Sequence, residues 1–257
     1  MAEVKRITRM EEVPPQDRRR LRKTNFVLGL LHLGQGIIIL ILGSGLTAPV
    51  AASFIGSPWR HTYEPRMLIA TFLFLSAFGH LLLASPRVFP WYTLQLEQRM
   101  NPERWYEYAL SASVMIVVIA SLTGITDLAA LISLFTATAA MNLFGLMMEL
   151  HNRTKGETDW TSFRWGSVVG ALPWVAIIIY FANADPSPPG FVYGIVASLV
   201  VLFALFPLNM WLQYAGKGPW RRYIFGEYGY MFLSLTAKSA LAWQVFGGTM
   251  NLPSIYS

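Results

Sequence analysis

Leu233-Ser-Leu-Thr-Ala-Lys-Ser-Ala-Leu-Ala-Trp-Gln-Val-Phe246 is the last long apolar run of the chain, and Lys238 is the only charge in it. An ammonium near the centre of a bilayer costs about 2.5–3.5 kcal/mol on insertion scales, so a lysine there needs a partner or a task. One such task is to become an imine by condensing with an aldehyde cofactor. Whether the run is a membrane span is decided by the sequence around it.

Hydrophobic residues make up 54% of the 257, charged residues 13% and aromatics 14%, with a mean hydropathy of +0.43. That balance is the composition of an integral membrane protein. Cysteine does not occur, which excludes disulfides, thiolate metal sites and cysteine nucleophiles. The net charge of +6 does not point to nucleic acid, because the basic residues cluster in the N-terminal tail and short loops, where membrane topology accounts for them. The first 24 residues are polar, and no Ala-x-Ala-like site follows. The first span is therefore expected to act as its own insertion signal.

A helix needs about 20 residues to cross the hydrocarbon core. Seven apolar stretches qualify, near 25–43, 66–85, 104–123, 127–149, 163–183, 190–214 and 223–247. Turn chemistry separates them: Gly43-Ser-Gly45, Ser85-Pro86, Gly124, Lys155-Gly156, Asp185-Pro-Ser-Pro-Pro-Gly190 and Gly216-Lys-Gly-Pro219. Pro173 and Pro207 fall inside the fifth and sixth spans, and each removes a backbone donor. The expected fold is an all-α seven-helix transmembrane bundle over 25–250, with a basic tail over 1–24 and a short tail over 251–257. No internal repeat or low-complexity tract interrupts it.

Lysine and arginine set the orientation. Eight lie in the N-terminal tail and three in each of the second, fourth and sixth connections, against Arg60 and Arg66 alone on the other side. The positive-inside bias puts the N-terminus in the cytoplasm and the C-terminus outside. The cluster Arg18-Arg-Arg-Leu-Arg-Lys23 reads as an anchor to anionic lipid. The connection over 43–65 is long for a bundle and rich in Gly, Pro, Ser and Thr, so it is expected to carry an ordered element of its own.

Few ionisable residues fall within the spans: His32, His80, Glu107, Glu149, Glu227 and Lys238. At about 1.5 Å per residue, His32, His80 and Glu107 lie roughly 3 to 8 residues from the cytoplasmic ends and Lys238 about 15. Helical side chains lean toward the N-terminus of their helix, so the lysine nitrogen is aimed at the level of the other three. Glu107 reads either as a carboxylate favoured by the helix dipole or as the counterion of a cation on Lys238. Each histidine alone reads as a structural residue satisfied by Gln35, Ser76 or a carbonyl. At one depth together, they read as lining a hydrated polar cavity that accepts a proton. Ser234, four residues before Lys238, shares its face and can bond either the nitrogen or its own helix. Met141, Trp174, Phe203, Phe206 and Trp243 are candidates to enclose a flat polyene, against a background of ordinary packing aromatics. Glu149 and Glu227 read as solvated carboxylates at helix ends, without a role.

Several stretches resemble one family, the heliorhodopsins: Leu31-His-Leu-Gly-Gln35, Leu75-Ser-Ala-Phe-Gly-His80, Arg104-Trp-Tyr-Glu-Tyr-Ala-Leu-Ser-Ala-Ser-Val-Met-Ile116, Pro189-Gly-Phe-Val-Tyr-Gly194 and Leu233 to Gln244. The resemblance covers about 25–250 and shares the cytoplasmic N-terminus. It implies a rhodopsin-like bundle with a β-hairpin in the first loop, and all-trans-retinal on Lys238 as a protonated Schiff base. It also implies Glu107 as counterion, His32 and His80 in a proton-accepting region, and a homodimer. The family often has asparagine in the middle of the fourth span, where this chain has Thr138.

The function expected from this resemblance is light sensing through a slow photocycle, without ion pumping and with an unknown cytoplasmic partner. All four aspartates lie in the tail or loops, so a second buried carboxylate is not expected in the spans, and a pump needs both an acceptor and a donor. The alternative is a light-gated proton channel or weak transporter, as some viral members of the family are. An enzyme or a scaffold without chromophore has no motif in its favour: the sequence holds no His-x-x-Glu-His spacing and no Gly-rich phosphate loop.

Overall fold

The computed structural model describes residues 11–52, 59–154 and 156–250. Seven long helices form the bundle: α1 (Pro15–Leu42), α2 (Pro65–Ala84), α4 (Pro102–Leu122), α5 (Leu128–Asn152), α6 (Thr161–Ala182), α7 (Gly190–Tyr214) and α8 (Tyr223–Met250). A shorter helix, α3 (Phe89–Glu97), lies between α2 and α4. Neighbours pack in sequence order, α1 on α2, α2 on α4, α4 on α5, α5 on α6 and α7 on α8, and α8 closes back onto α1. Among the described residues, α1, α2, α4, α5, α6 and α7 are long and apolar enough to cross a membrane. At 28 residues α8 is as long as α1, and it carries Glu227, Lys238 and Gln244 along its length.

Local chemistry places the ends. Asn101 caps α4 by accepting from the Arg104 N–H, and Asp127 caps α5 by accepting from the Ala130 N–H at 2.8 Å. Proline occupies the first turn of α1, α2, α3 and α4, where a missing donor costs nothing. Gly124, at φ +97°, makes the left-handed turn between α4 and α5. Pro173 and Pro207 lie inside α6 and α7, as expected.

The first connection carries the expected hairpin. Strand β1 (Ala48–Ala52) pairs antiparallel with β2 (Trp59–Tyr63), Ala48 opposite Tyr63 and Ala52 opposite Trp59. It is tied to the bundle by Ala51 N–H donating to Thr126 O at 2.9 Å and by Tyr63 OH against Ser121 Oγ at 2.6 Å.

Two features depart from the sequence expectation at the opposite end of the bundle. Helix α1 begins ten residues before the first apolar span, so the residues of the basic cluster are helical. Arg18 pairs with Glu97 at 2.6 Å and Arg22 donates to Ala84 O at 2.9 Å, which commits both side chains to protein contacts at the α2–α3 corner. Helix α3, in turn, is too short to register as a span. It buries Tyr92, Thr93 and Leu96 on one side and leaves Trp91 and Leu94 exposed.

The larger correction concerns Glu149, Glu227 and Arg104, which are not solvated helix ends or loop residues. All three are buried, at 1%, 1% and 4% exposure. Arg104 forks between the two carboxylates, with Nη1 on Glu227 and Nη2 on Glu149 Oε1 at 2.5 Å. The remaining acceptor capacity is also used. Glu149 accepts from Tyr223 OH at 2.7 Å and Asn101 N–H at 2.8 Å, and Glu227 accepts from Asn101 Nδ2 at 2.7 Å and Tyr92 OH at 3.1 Å. The guanidinium also lies over the Tyr230 ring, 3.9 Å from its centroid. This network joins α3, α4, α5 and α8, and the expectation that the spans hold no second buried carboxylate is overturned by it.

A buried pair broken from one side leaves an uncompensated charge. Arg104→Met should therefore destabilise the protein by about 3–5 kcal/mol, seen as a lower unfolding midpoint in detergent; an unchanged midpoint would mean that the network does not hold these helices together.

Candidate functional site

Lys238 lies in the middle of α8 at 3% exposure, and its environment satisfies all three ammonium donors. Nζ lies 2.9 Å from Glu107 Oε1, 3.2 Å from Oε2 and 3.0 Å from Ser234 Oγ. The ring of Tyr108 is 5.0 Å away by its centroid, close enough for a cation–π contribution. Ser234 is brought there by helix geometry alone, one turn earlier on the same face. Glu107 comes from α4, where Oε1 also accepts from Ser76 Oγ of α2 at 2.6 Å. Because α4 starts at Pro102, the position favoured by the helix dipole belongs to Glu103, and Glu107 sits deeper, as the partner of the lysine.

The amine faces a cavity of about 430 Å³ enclosed by α4, α5, α6, α7 and α8. Its walls include Met141, Trp174, Phe203 and Phe206, all four expected from sequence, together with Trp105, Tyr108, Met115 and Pro207. The Trp174 and Phe203 rings meet edge to face at 5.3 Å, and Tyr108 and Phe206 do so at 5.5 Å. Trp243 does not belong to this lining. It is 41% exposed and donates from Nε1 to Gln35 Oε1 at 3.1 Å, so its role is to join α8 to α1. Polarity on α5 comes from Asn142 on the cavity wall, whose side-chain amide donates to Thr138 O at 2.9 Å; Thr138 itself is buried one turn away and bonds its own helix. The volume falls within the range of small-molecule sites. One amine facing a mostly apolar chamber with aromatic walls suits a long apolar aldehyde such as retinal.

His32 and His80 come together, but not with the partners named from sequence. Their rings stack in parallel, 5.7 Å apart and 5° from coplanar. His80 Nδ1 lies 2.8 Å from Asn25 Oδ1, while Asn25 Nδ2 donates to Leu21 O at 3.0 Å. The amide is thereby oriented so that its oxygen faces the ring, which makes His80 Nδ1 the donor and leaves Nε2 free to accept a proton. Both nitrogens of His32 are buried without a hydrogen-bond partner. Gln35 is engaged with Trp243 and Ser76 with Glu107, so neither serves the histidines.

Between Glu107 and the Arg104 network lies a second, polar cavity of about 20 Å³, lined by Ser76, His80, Glu103, Glu107, Asn101 and Glu227 among others. That is room for about one water. His80 and Glu107 border it, whereas His32, expected to line the same cavity, stands behind His80 instead. Glu103, Arg104, Glu149 and Glu227 were the residues sequence reasoning missed. The available signal was that all four cluster at one end of the bundle, with opposite charges on α4, α5 and α8.

A comparison with curated proteins returned no match. Among solved structures, the transmembrane domain of Salpingoeca rosetta rhodopsin phosphodiesterase is similar, with a TM-score of 0.64 over 93% of this chain and 90% of that one. At 14% identity the likeness extends to the fold, a rhodopsin-type bundle. The sequence profile named Heliorhodopsin matches residues 21–250. With that match over most of its length, and with the seven-helix bundle, the chain belongs to the heliorhodopsin family.

Proposed function

We propose that the protein is a light sensor in which all-trans-retinal is carried on Lys238 as a protonated Schiff base. The observation that carries this reading is the Lys238–Glu107 pair at 2.9 Å on the wall of an aromatic cavity of about 430 Å³. Retinal supplies absorption of visible light and a change of shape at the nitrogen. Glu107 acts as counterion: its carboxylate favours the charged form of the nitrogen and fixes the direction of its proton, with Ser234 as a second acceptor. Met141, Trp174, Phe203 and Phe206 hold the chain of the cofactor and exclude water.

When the nitrogen moves relative to Glu107, its proton is no longer held in the same geometry. The acceptors within reach lie toward the end of the bundle that carries the N-terminus: Glu107 first, then the polar cavity bordered by His80, with His32 stacked behind it. This forms the proton-accepting region. The excess of lysine and arginine at that end supports a cytoplasmic position for it, with the C-terminus outside. The altered bundle is then read by a cytoplasmic partner, and the homodimer expected of the family is part of the same reading. No enzymatic step is assigned to the chain.

Proton conduction is the second reading, and a cluster of carboxylates favours it: Glu107, Glu103 and Glu227 share one cavity. Against it stands the packing beyond Lys238, where Ile39, Phe72, Ile119, Ile177, Leu199 and Leu241 form an apolar core. A light-evoked current in voltage-clamped cells would decide for conduction, and its absence for sensing.

Two variants test the site. Lys238→Ala reconstituted with all-trans-retinal should keep its helical circular dichroism and show no visible band; a retained band would move the attachment elsewhere. Glu107→Gln should absorb to the red, because the anion stabilises the ground state, with its charge localised at nitrogen, more than the excited state. An unshifted spectrum would remove Glu107 from the counterion role.

A further inference from the structure

The cytoplasmic-type end of the bundle holds a second cleft, separate from the retinal-type cavity, with a volume of about 180 Å³. Arg99 reaches it from the α3–α4 turn, Arg153 from the end of α5 and Arg221 from the 3-10 turn (Gly218–Arg221) before α8. Its inner wall includes Glu149, Gln213 and Tyr223.

Charge at this cleft is out of balance. Glu149 is paired with Arg104, at 2.5 Å, and shares that guanidinium with Glu227. Arg99 has only a loose contact with Glu11, at 3.9 Å. Arg153 and Arg221 make no ion pair with any carboxylate among the described residues; their contacts are with Met100 Sδ at 4.0 Å and Gly216 O at 3.2 Å. Gln213 adds an independent sign of a ligand. The residue is 2% exposed, its Nε2 donates to Tyr223 O at 2.9 Å, and its Oε1 is buried without a partner. The basic side of the cleft thus offers guanidinium forks to an anion, while its inner wall offers an acceptor to a hydroxyl or amino group. A positive-inside bias explains why arginines lie at this end, but not why three from separate elements converge on one enclosed space.

We propose that this cleft binds a small phosphate monoester whose organic part carries a hydroxyl group, of the glycerophosphate kind. Three guanidinium groups, set against Glu11 and the share of charge that Arg104 leaves on Glu149, give a surplus of about one to two positive charges, which a phosphate monoester near neutrality can meet, and the planar fork of arginine matches phosphate oxygens two at a time. The volume equals roughly six waters at about 30 Å³ each, more than a bare phosphate needs and enough for a short polyol attached to it. The hydroxyl donates to Gln213 Oε1. Both a soluble metabolite and the headgroup of an anionic lipid present this chemistry.

The test uses the full chain in nanodiscs of phosphatidylcholine alone, titrated calorimetrically with sn-glycerol 3-phosphate at low salt. Saturable binding is expected, weakened at least about tenfold in Arg153→Gln and in Arg221→Gln, a loss of about 1.4 kcal/mol. Arg221 is exposed, so its variant keeps the measurement interpretable even if Arg153→Gln fails to fold. In discs that also contain lysophosphatidic acid, which keeps both the phosphate monoester and a free glycerol hydroxyl, loss of the soluble ligand's binding identifies the headgroup as the natural occupant, and unchanged binding identifies a soluble ester. Absence of saturable binding in phosphatidylcholine discs, or equal affinity in wild type and both variants, overturns the proposal.

Discussion

The ion pair between Lys238 and Glu107 is the constraint around which the rest of the bundle is organised. Neither charge could stand alone at that depth, because the desolvation cost of an unpaired ion exceeds the stabilisation available from one helix contact. The pair therefore fixes α8 against α4, and Ser76 and Ser234 fix it further from α2 and from one turn earlier on α8. With the amine held at one side of the chamber, the space beyond it is largely apolar, with Asn142 as a polar point on α5. Met141, Trp174, Phe203 and Phe206 fill that wall without introducing a competing acceptor.

The same rule of compensation operates a second time toward the end that carries the N-terminus. Arg104 bridges Glu149 and Glu227, and Tyr92, Tyr223 and Asn101 take the remaining lone pairs. Two charged centres are thus stacked along the bundle, separated by a polar cavity with room for about one water. A change in the protonation of Glu107 is felt electrostatically by Glu103 and Glu227 across that cavity, in an interior that screens poorly. The opposite half of the bundle is apolar core under a hairpin, so polar groups capable of responding lie on one side of the lysine.

Much of this was legible in the sequence, for physical reasons that differ by element. The spans were readable because hydrocarbon thickness sets a length and turn residues mark the breaks. Lys238 and Glu107 stood out because a charge in an apolar run is costly. The hairpin came from family resemblance alone, since its short strands carry no alternation strong enough to read. Helix α3 was missed because nine residues with buried Tyr92 and Leu96 fall below any span length. Glu149 and Glu227 were misread because position near a helix end does not reveal burial, which here depends on Arg104 reaching across from α4. The partners of the histidines were also invisible: Asn25 lies a turn or more from His32 in sequence, and only the packing of α1 on α2 brings it to His80. Trp243 shows the converse error, an aromatic one turn from the key lysine that points to α1 instead of the cavity.

The central claim is chemical: the buried amine of α8 is the group that takes the aldehyde. Borohydride reduction of the protein mixed with all-trans-retinal, followed by proteolysis and mass spectrometry, addresses it directly. The account predicts a retinyl mass on the peptide containing Lys238 and on no other lysine peptide. A label on Lys217 or Lys23, or an unmodified Lys238 peptide in a coloured sample, would contradict it.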